Sequence, residues 1–211
     1  MSEPPVHTGV DEVHPHAHRT GHRWVDTVIA VSAITISVIS LFVAIEHGRI
    51  EGKLVAANSW PFLVFKSSEN GLVVGSRVLD LRLENSGVGP ARVESVEIDL
   101  DGRPLRDHTD LMSRCCGAPD PDLLHQVREG LISQNELIGV LPAREGVDFL
   151  AWRELPGNDK LWSALNTARN RLTFHVCYCS VLDECWNTDL TPVAHPRPVR
   201  ECKTSSNDYA G

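Results

Sequence analysis

Six cysteines are the residues of this 211-residue chain with the widest range of possible chemistry. All six lie in the second half of the chain, at Cys115, Cys116, Cys177, Cys179, Cys185 and Cys202. An even number of cysteines confined to one part of a chain is typical of disulfide bonding in an oxidising compartment. Thiols at short spacing can also exchange disulfides or bind a soft metal ion. We therefore take all six cysteines as disulfide candidates, with two alternatives to weigh.

The sequence on either side of Leu182 predicts a β-hairpin. Residues 171–179 and 185–189 both carry β-branched and aromatic side chains of the kind found in strands. A turn centred on Leu182 places Cys179 opposite Cys185, at a separation that a disulfide can bridge. Because this bond closes a short loop, we expect it to contribute at the low end of about 2–4 kcal/mol.

Longer links are expected to stabilise the domain more than the hairpin bond does. A bond from Cys115 or Cys116 to Cys177 or Cys202 would close a large loop, and the chain-entropy gain grows with loop length. Such a bond would tie the middle of the chain and its C-terminal part to the strands. The connectivity stays open, since six cysteines can pair in many ways.

Thiol-redox chemistry at Cys177 and Cys179, or at the adjacent Cys115 and Cys116, is the first alternative. A reactive thiolate needs a helix N-terminus or basic neighbours, and the strand-like sequence around Cys177 offers neither. The second alternative is a metal site formed by hairpin thiols and one histidine, namely Cys177, Cys179, Cys185 and His175. It lacks the paired C-x-x-C spacings that make a zinc signal specific. We predict no metal ligand and no cofactor.

Histidines recur within residues 1–23, a segment that is also rich in Pro, Gly and Thr. The run His14-Pro-His16-Ala-His18 could bind a divalent metal ion, but a chain without apolar periodicity has no second shell to orient such ligands. We predict a disordered His-rich tail. Four later histidines could each act as a catalytic base, namely His108, His125, His175 and His195. However, no serine of the chain lies in a nucleophile-elbow sequence that would pair with such a base. No catalytic residue is predicted, and we do not expect an enzyme.

The apolar stretch at residues 24–45 determines where the rest of the chain lies relative to a membrane. It carries no charge from Thr27 to Ile45, and as a helix it would be roughly 33 Å long, enough to cross the hydrocarbon core of a bilayer. A secretory signal peptide has a shorter apolar core and a cleavage site close behind it. Here the nearest cleavage pattern, residues 55–57, lies beyond a charged stretch. We predict a retained transmembrane helix.

Small residues recur at a spacing of four along this helix, at Ser40, Ala44, Gly48 and Gly52. This pattern lets two membrane helices approach closely and predicts a possible homodimer. The alternative is that small residues are common in membrane helices and that Gly48 and Gly52 mark a flexible neck over residues 46–58.

Positive charges do not decide the orientation, because Arg19 and Arg23 before the span balance Arg49 and Lys53 after it. The cysteines do, since all six follow the span and an even count suits an oxidising compartment. We predict that the tail lies in the cytosol and the C-terminal domain outside it. The alternative is a cytosolic domain with free or zinc-bound thiols.

Residues 59–190 predict one mainly β domain, followed by a Pro-rich C-terminal tail at residues 191–211. Apolar and polar residues alternate in 78–84 and again in 96–100, as in strands with one buried face, and we expect the two to be neighbours in an antiparallel sheet. Further strands are predicted within 60–65, 137–141 and 147–152. Short helices are predicted within 107–116, 120–129 and 158–169, with Asp107 and Asp120 as the N-caps of the first two. This order favours an Ig-like sandwich with short inserted helices.

Two blocks resemble a known kind of protein: residues 81–93, LRLENSGVGPARV, and residues 177–186, CYCSVLDECW. They are similar to uncharacterised bacterial single-pass membrane-anchored proteins with a β-rich, cysteine-containing outer domain. The resemblance implies an architecture and a place in the bacterial inner membrane, with the domain in the periplasm. It brings no activity.

The charge balance excludes one class of partner. The chain holds 20 Lys and Arg against 28 Asp and Glu, a net charge of −8, whereas nucleic-acid binding depends on neutralising phosphates. We predict a membrane-anchored extracytoplasmic interaction or structural module, whose protein partner the sequence does not identify. A thiol-redox or metal-binding membrane protein is the alternative.

Overall fold

The computed structural model describes residues 23–69, 77–117, 121–191 and 195–210, and for residues 121–124 it describes the backbone alone. The chain forms two compact units that divide between Glu51 and Gly52, and each is described by itself. The predicted disordered tail and its histidines lie outside the described residues, apart from Arg23.

The first long element is helix α1, Arg23–Asn58, with 36 residues and no buried side chain. It is long and apolar enough to cross a membrane. Three of its hydroxyl groups are satisfied within the helix, since Thr27, Thr35 and Ser37 each donate to the carbonyl four residues earlier, at 2.8–2.9 Å. Such bonds remove the penalty for polar groups in a hydrocarbon environment.

Residues 46–58, predicted as a juxtamembrane neck, are helical and continue α1. Charged residues such as Glu46 and Lys53 are good helix formers, and glycine weakens a helix without ending it. The helix ends only at Asn58, where the Ser59 N–H donates to the Val55 carbonyl at 3.0 Å. Pro61 then disfavours a helical conformation at Trp60.

The β domain contains two antiparallel sheets. Its strands are β1 Leu63–Ser68, β2 Val78–Asn85, β3 Ala91–Leu100, β4 Arg103–Pro104, β5 Leu131–Ser133, β6 Gly139–Leu141, β7 Gly146–Arg153, β8 Leu172–Cys179, β9 Cys185–Thr188 and β10 Arg197–Val199. The first sheet has the order β1-β2-β7-β5, and the second has the order β10-β9-β8-β3-β4, with β6 also paired to β3.

In the described part of the domain, three helices accompany the sheets, close to the positions that the sequence predicts. They are α2 His108–Cys116, α3 Pro121–Gly130 and α4 Asp159–Ala168, and a short 3-10 turn follows α4. Asp107 caps α2 as expected, because its carboxylate accepts from the Asp110 N–H at 2.8 Å. The expected cap of α3, Asp120, lies outside the described residues. The buried faces of α2 and α4 extend the core through Leu111, Trp162 and Leu165.

The apolar core contains side chains from both sheets. The alternation predicted for β2 and β3 is observed, with Leu81 and Ile98 fully buried. Across the core, the ring of Phe65 on β1 lies 4.4 Å from the ring of Phe174 on β8, measured between centroids. The fold is therefore mainly β, with two sheets sharing one core.

Strands β2 and β3 are not sheet neighbours, contrary to the sequence prediction. β2 pairs with β1 and β7, whereas β3 pairs with β8, β6 and β4. The alternation of apolar and polar residues predicts that each strand has one buried face, but it does not predict which strand pairs with it. The glycine-rich loop at residues 86–90 therefore connects the two sheets instead of closing a hairpin.

The predicted domain boundary at residue 190 is too early. Strand β10 pairs with β9, and Tyr209 is almost fully buried, its ring 5.9 Å from that of Phe149. Asp208 accepts hydrogen bonds from the Ser95 hydroxyl at 2.6 Å and the Val96 N–H at 3.0 Å. Because these contacts involve one carboxylate and one aromatic ring, the sequence of this segment has no periodic pattern that would predict its packing. We call residues 195–210 the C-terminal strap.

Candidate functional site

The two strands of the β8–β9 hairpin carry a disulfide between Cys179 and Cys185. The two residues are direct partners in the strand register, with their Cα atoms 4.0 Å apart. The tight turn is closed by the Ser180 N–H, which donates to the Glu184 carbonyl at 2.8 Å, and Asp183 adopts a left-handed conformation with φ 59°. This is the pairing that the predicted hairpin places opposite each other.

The remaining cysteines pair differently from the long links that we expected. Cys177 is bonded to Cys202 of the C-terminal strap, with Cα atoms 5.6 Å apart, and Cys115 is bonded to its neighbour Cys116. Cys115 and Cys116 end helix α2, which contacts α4, whereas Cys177 lines a cleft on the second sheet. The expected links between these two regions are therefore absent.

Three sulfur atoms meet next to the turn of the hairpin. The Sγ atoms of Cys179, Cys185 and Cys202 all lie within 4.8 Å of one another, and those of Cys179 and Cys202 are 3.8 Å apart. The metal site weighed from the sequence included His175, but its Nε2 atom lies 3.9 Å from a carboxylate oxygen of Asp99 instead. A metal ion needs thiolates, and these sulfurs are bonded in pairs.

An open cleft of about 860 Å³ lies between the second sheet and the C-terminal strap, with Cys177 in its lining. Its lining includes Glu97 and His175 from the strands and Arg197 and Lys203 from β10 and the strap. At its margin, hydrogen bonds from the backbone and side chain of Thr191 lower the pKa of the Asp189 carboxyl. A lining of both charge signs suits a polar ligand better than an apolar one.

Exposed apolar side chains are concentrated at one end of the β domain. We call this surface the apolar loop end and define it by five residues, Trp60, Val88, Val140, Val181 and Leu182. Their exposed fractions range from 44% for Trp60 to 69% for Val140. They lie on four separate segments, and sequence reasoning did not identify them because scattered apolar residues in loops carry no periodic signal.

Pairings centred on Arg92 bring together two of these four segments, β6 and the hairpin turn. In the strand register Arg92 is the partner of both Val140 and Cys179, and its guanidinium donates to Asp183 at 2.7 Å in the turn that carries Val181 and Leu182. Carboxylates of Asp183 and Glu94 raise the pKa of Arg92.

Asn85 organises the remainder of this end and was also missed from the sequence. Its side chain is fully buried; the oxygen accepts from the N–H groups of Phe62 (3.1 Å) and Gly87 (3.0 Å), and the nitrogen donates to the Gly89 carbonyl at 2.8 Å. The same nitrogen lies 3.2 Å from the carbonyl oxygens of Leu141 and Pro142. One side chain thereby joins the start of β1, the 86–90 loop and the end of β6.

The residues predicted to promote helix association all lie on α1, namely Ser40, Ala44, Gly48 and Gly52. All are exposed, and a side chain added at Gly48 or Gly52 would meet no atom within 4 Å. The structure contains a single chain, so self-association stays a prediction.

Comparisons with protein-family models, with curated proteins and with solved structures find no match to this chain.

Proposed function

We propose that this chain is a single-pass membrane protein whose β domain lies outside the cytosol and binds a protein partner through the apolar loop end. The observation that carries the proposal is the grouping of five exposed apolar side chains on four segments at one end of the domain. Apolar patches of this kind mark interaction surfaces, whereas single exposed apolar residues are ordinary. An Ig-like sandwich, in which loops cluster at the two ends of the domain, is part of the proposal.

The composition of this surface favours a protein over a small molecule. Its apolar centre includes Trp60, an aromatic residue of the type enriched at binding hot spots. Charged side chains surround that centre, among them Arg92, Arg144 and Asp183. An apolar centre within a polar rim is the usual composition of a protein–protein interface.

Two features support the proposed orientation. Helix α1 is long and apolar enough to span a bilayer, and the three cysteine pairs follow it in the chain. Disulfides persist in oxidising compartments and are rare in the cytosol. By resemblance, the compartment is the periplasm of a bacterium, and the chain is held in the inner membrane.

The orientation is tested by fusing reporters after residue 211. Alkaline phosphatase, which folds only outside the cytosol, should be active, and a fluorescent protein that matures only in the cytosol should be dark. Peptide mapping without reduction, on protein taken from its native membrane, should find the six cysteines in pairs. The opposite reporter pattern, or six free thiols, would overturn the outward orientation.

The binding surface is tested with a photo-crosslinking amino acid at Leu182, compared with the same amino acid at Ile132 on β5. Both side chains are 45% exposed, but only Leu182 belongs to the apolar loop end. Irradiation of native membranes should give a discrete crosslinked protein from Leu182 and Val88 and none from Ile132. Equal crosslinking at Ile132 and Leu182, or none at any position, would contradict the assignment of this surface.

Thiol exchange is a second candidate function, and the 3.8 Å separation between the sulfurs of Cys179 and Cys202 favours it. A thiolate at either position would have a disulfide sulfur of the neighbouring pair within van der Waals contact.

A further inference from the structure

Two disulfides lie side by side in the hairpin region. The Cys177–Cys202 bond joins β8 to the C-terminal strap, and the Cys179–Cys185 bond joins β8 to β9. Cys177 and Cys179 are two residues apart on one strand, so they share a face, and the two bonds meet where the Sγ atoms of Cys179 and Cys202 are 3.8 Å apart. The other pair, Cys115–Cys116, lies on helix α2 and takes no part in this contact.

We propose that Cys177, Cys179, Cys185 and Cys202 form a thiol–disulfide exchange site whose co-reactant is a dithiol. Exchange proceeds when a thiolate attacks one sulfur of a disulfide and displaces the other, so it requires the attacking sulfur to be in contact with its target. The Sγ atoms of Cys179 and Cys202 are in contact at 3.8 Å, and once Cys202 is released from Cys177, rotation of its side chain brings its sulfur into line with the Cys179–Cys185 bond. The inference goes beyond the proposed binding role and does not depend on it.

The first step opens the bond that includes Cys202, the most exposed of the four cysteines. A thiolate of the dithiol attacks the Cys202 sulfur, a mixed disulfide forms, and Cys177 leaves as a thiolate that takes up a proton. The second thiol of the reagent then attacks the reagent's own sulfur in the mixed disulfide. The dithiol becomes a disulfide, and Cys202 leaves as a thiolate.

In the second step the Cys202 thiolate attacks the Cys179 sulfur. A Cys179–Cys202 bond forms, the Cys179–Cys185 bond breaks, and Cys185 leaves and takes up a proton. In total the dithiol loses two electrons and two protons, which reside on the thiols of Cys177 and Cys185. The strap stays tied to β8, one thiol now faces the cleft, and the other lies beside the exposed turn of the hairpin.

Two single substitutions in the full-length protein test the exchange without any external reductant. Cys185→Ser leaves Cys179 as a thiol, which should attack Cys202 and release Cys177. Cys177→Ser leaves Cys202 as a thiol, which should attack Cys179 and release Cys185. We expect peptide mapping after thiol alkylation to find the same Cys179–Cys202 peptide in both variants, in increasing amount between pH 6 and pH 8.5 as the thiolate fraction rises.

A Cys115→Ser variant is the matched control, because it also leaves one unpaired thiol, at Cys116. Its hairpin pairs should stay intact, which separates a local exchange from random scrambling. A Cys179–Cys202 peptide in neither substituted variant, with the thiols found on Cys179 and Cys202 themselves, would refute the proposal. So would Cys116 crosslinked to hairpin cysteines at a similar yield.

The unsubstituted protein provides a test that does not rely on variants folding. A sub-stoichiometric amount of dithiothreitol followed by rapid alkylation should trap molecules with a Cys179–Cys202 bond and alkylated Cys177 and Cys185. Stepwise loss of the two original pairs, without the Cys179–Cys202 peptide, would rule the exchange out even where the reporter and crosslinking experiments support the binding role.

Discussion

Asn85 shows how much one buried polar side chain can determine. A buried amide group is tolerated only when its donors and acceptor are satisfied, and Asn85 achieves this with backbone groups from three separate segments. No apolar side chain could replace those bonds. The Asn85 side chain therefore fixes the relative positions of the start of β1, the 86–90 loop and the end of β6.

We predict that Asn85→Ala lowers the free energy of unfolding by about 2–4 kcal/mol, because several buried backbone groups would lose their partners. Asn85→Asp should be at least as destabilising, since it replaces an amide donor by a carboxylate that faces carbonyl oxygens. Chemical unfolding of the detergent-solubilised protein measures both changes. Asn135→Ala is the control, because Asn135 is exposed and its amide donates only to the Asp148 carbonyl at 2.9 Å and, at 3.4 Å, to the Ser133 hydroxyl. A smaller change for Asn85→Ala than for Asn135→Ala would contradict this role.

Residue-level features were predictable when local geometry determined them. The Cys179–Cys185 bond follows from a symmetric turn, which depends on residues close in the sequence. The Cys177–Cys202 bond and the contacts of Asn85 depend on segments brought together by the whole fold, and the sequence offers no local signal for either.

At the level of elements, α1 extends the small-residue spacing well beyond the apolar stretch. Ser40, Ala44, Gly48 and Gly52 lie on one continuous helix, so a second helix could follow the same face without interruption. Close approach along such a face favours association through van der Waals contact.

We expect Ala44→Leu and Gly48→Leu to weaken self-association of the chain in bilayers at least about fivefold, which corresponds to about 1 kcal/mol. Crosslinking yield in reconstituted vesicles measures the effect as a function of protein density. Phe42→Leu is the control, because position 42 faces away from positions 40 and 44 on the helix. An unmodified chain that is monomeric at every density would remove the hypothesis.

The loop between β2 and β3 depends on close packing of its backbone. A Cβ atom at Gly89 would lie 2.6 Å from the Ser59 Cα, so the loop can approach the chain after α1 only with glycine there. We predict that Gly89→Ala lowers unfolding stability by about 1–3 kcal/mol through overpacking, as followed by thermal unfolding.

Gly52→Ala is the matched substitution for Gly89→Ala. Nothing lies within 4 Å of the added methyl group at Gly52, and alanine is the better helix former by about 1 kcal/mol. Equal effects of the two substitutions on the melting temperature would show that the loop does not require this close approach.

Element types were mostly predictable because burial imposes a periodicity on strands and helices. The alternation in β2 and β3 and the cap of α2 are local properties, and the structure contains them. The extent of α1 was not predictable, because the charged residues at 46–58 are compatible both with a continued helix and with a solvated neck. The pairing of β2 was not predictable either, since a buried face does not specify its neighbour.

At the level of the whole domain, one carboxyl group should make stability depend on pH. Burial on the outer side of the first sheet, with the negative charge of Asp148 beside it, raises the pKa of Asp80 to about 6. A carboxyl with a raised pKa in the folded state stabilises the domain at pH values below its unfolded pKa, and that contribution is lost as the pH rises through 6.

Asp80→Asn should therefore stabilise the protein at pH 7.5, by about 1 kcal/mol after allowance for solvent screening, and the gain should shrink toward pH 4. Melting temperatures across this range measure it. Glu84→Gln is a control with the opposite effect on stability. A hydrogen bond from Lys66 lowers the pKa of Glu84, so replacing this carboxylate should destabilise the protein, and more at pH 7.5 than at pH 4. A constant difference between Asp80→Asn and the unmodified chain across the range would contradict the assignment.

Contacts between distant parts of the chain also set the order in which the domain can form. Ser95 and its partner Asp208 are 113 residues apart, and a ribosome adds about 5–20 residues per second. Strand β3 is therefore synthesised many seconds before the C-terminal strap, whose packing completes the core. During that interval the emerging polypeptide has no finished tertiary structure, which is the state a narrow translocation channel requires. Under the proposed outward orientation, export and oxidation would therefore precede the final packing around Tyr209.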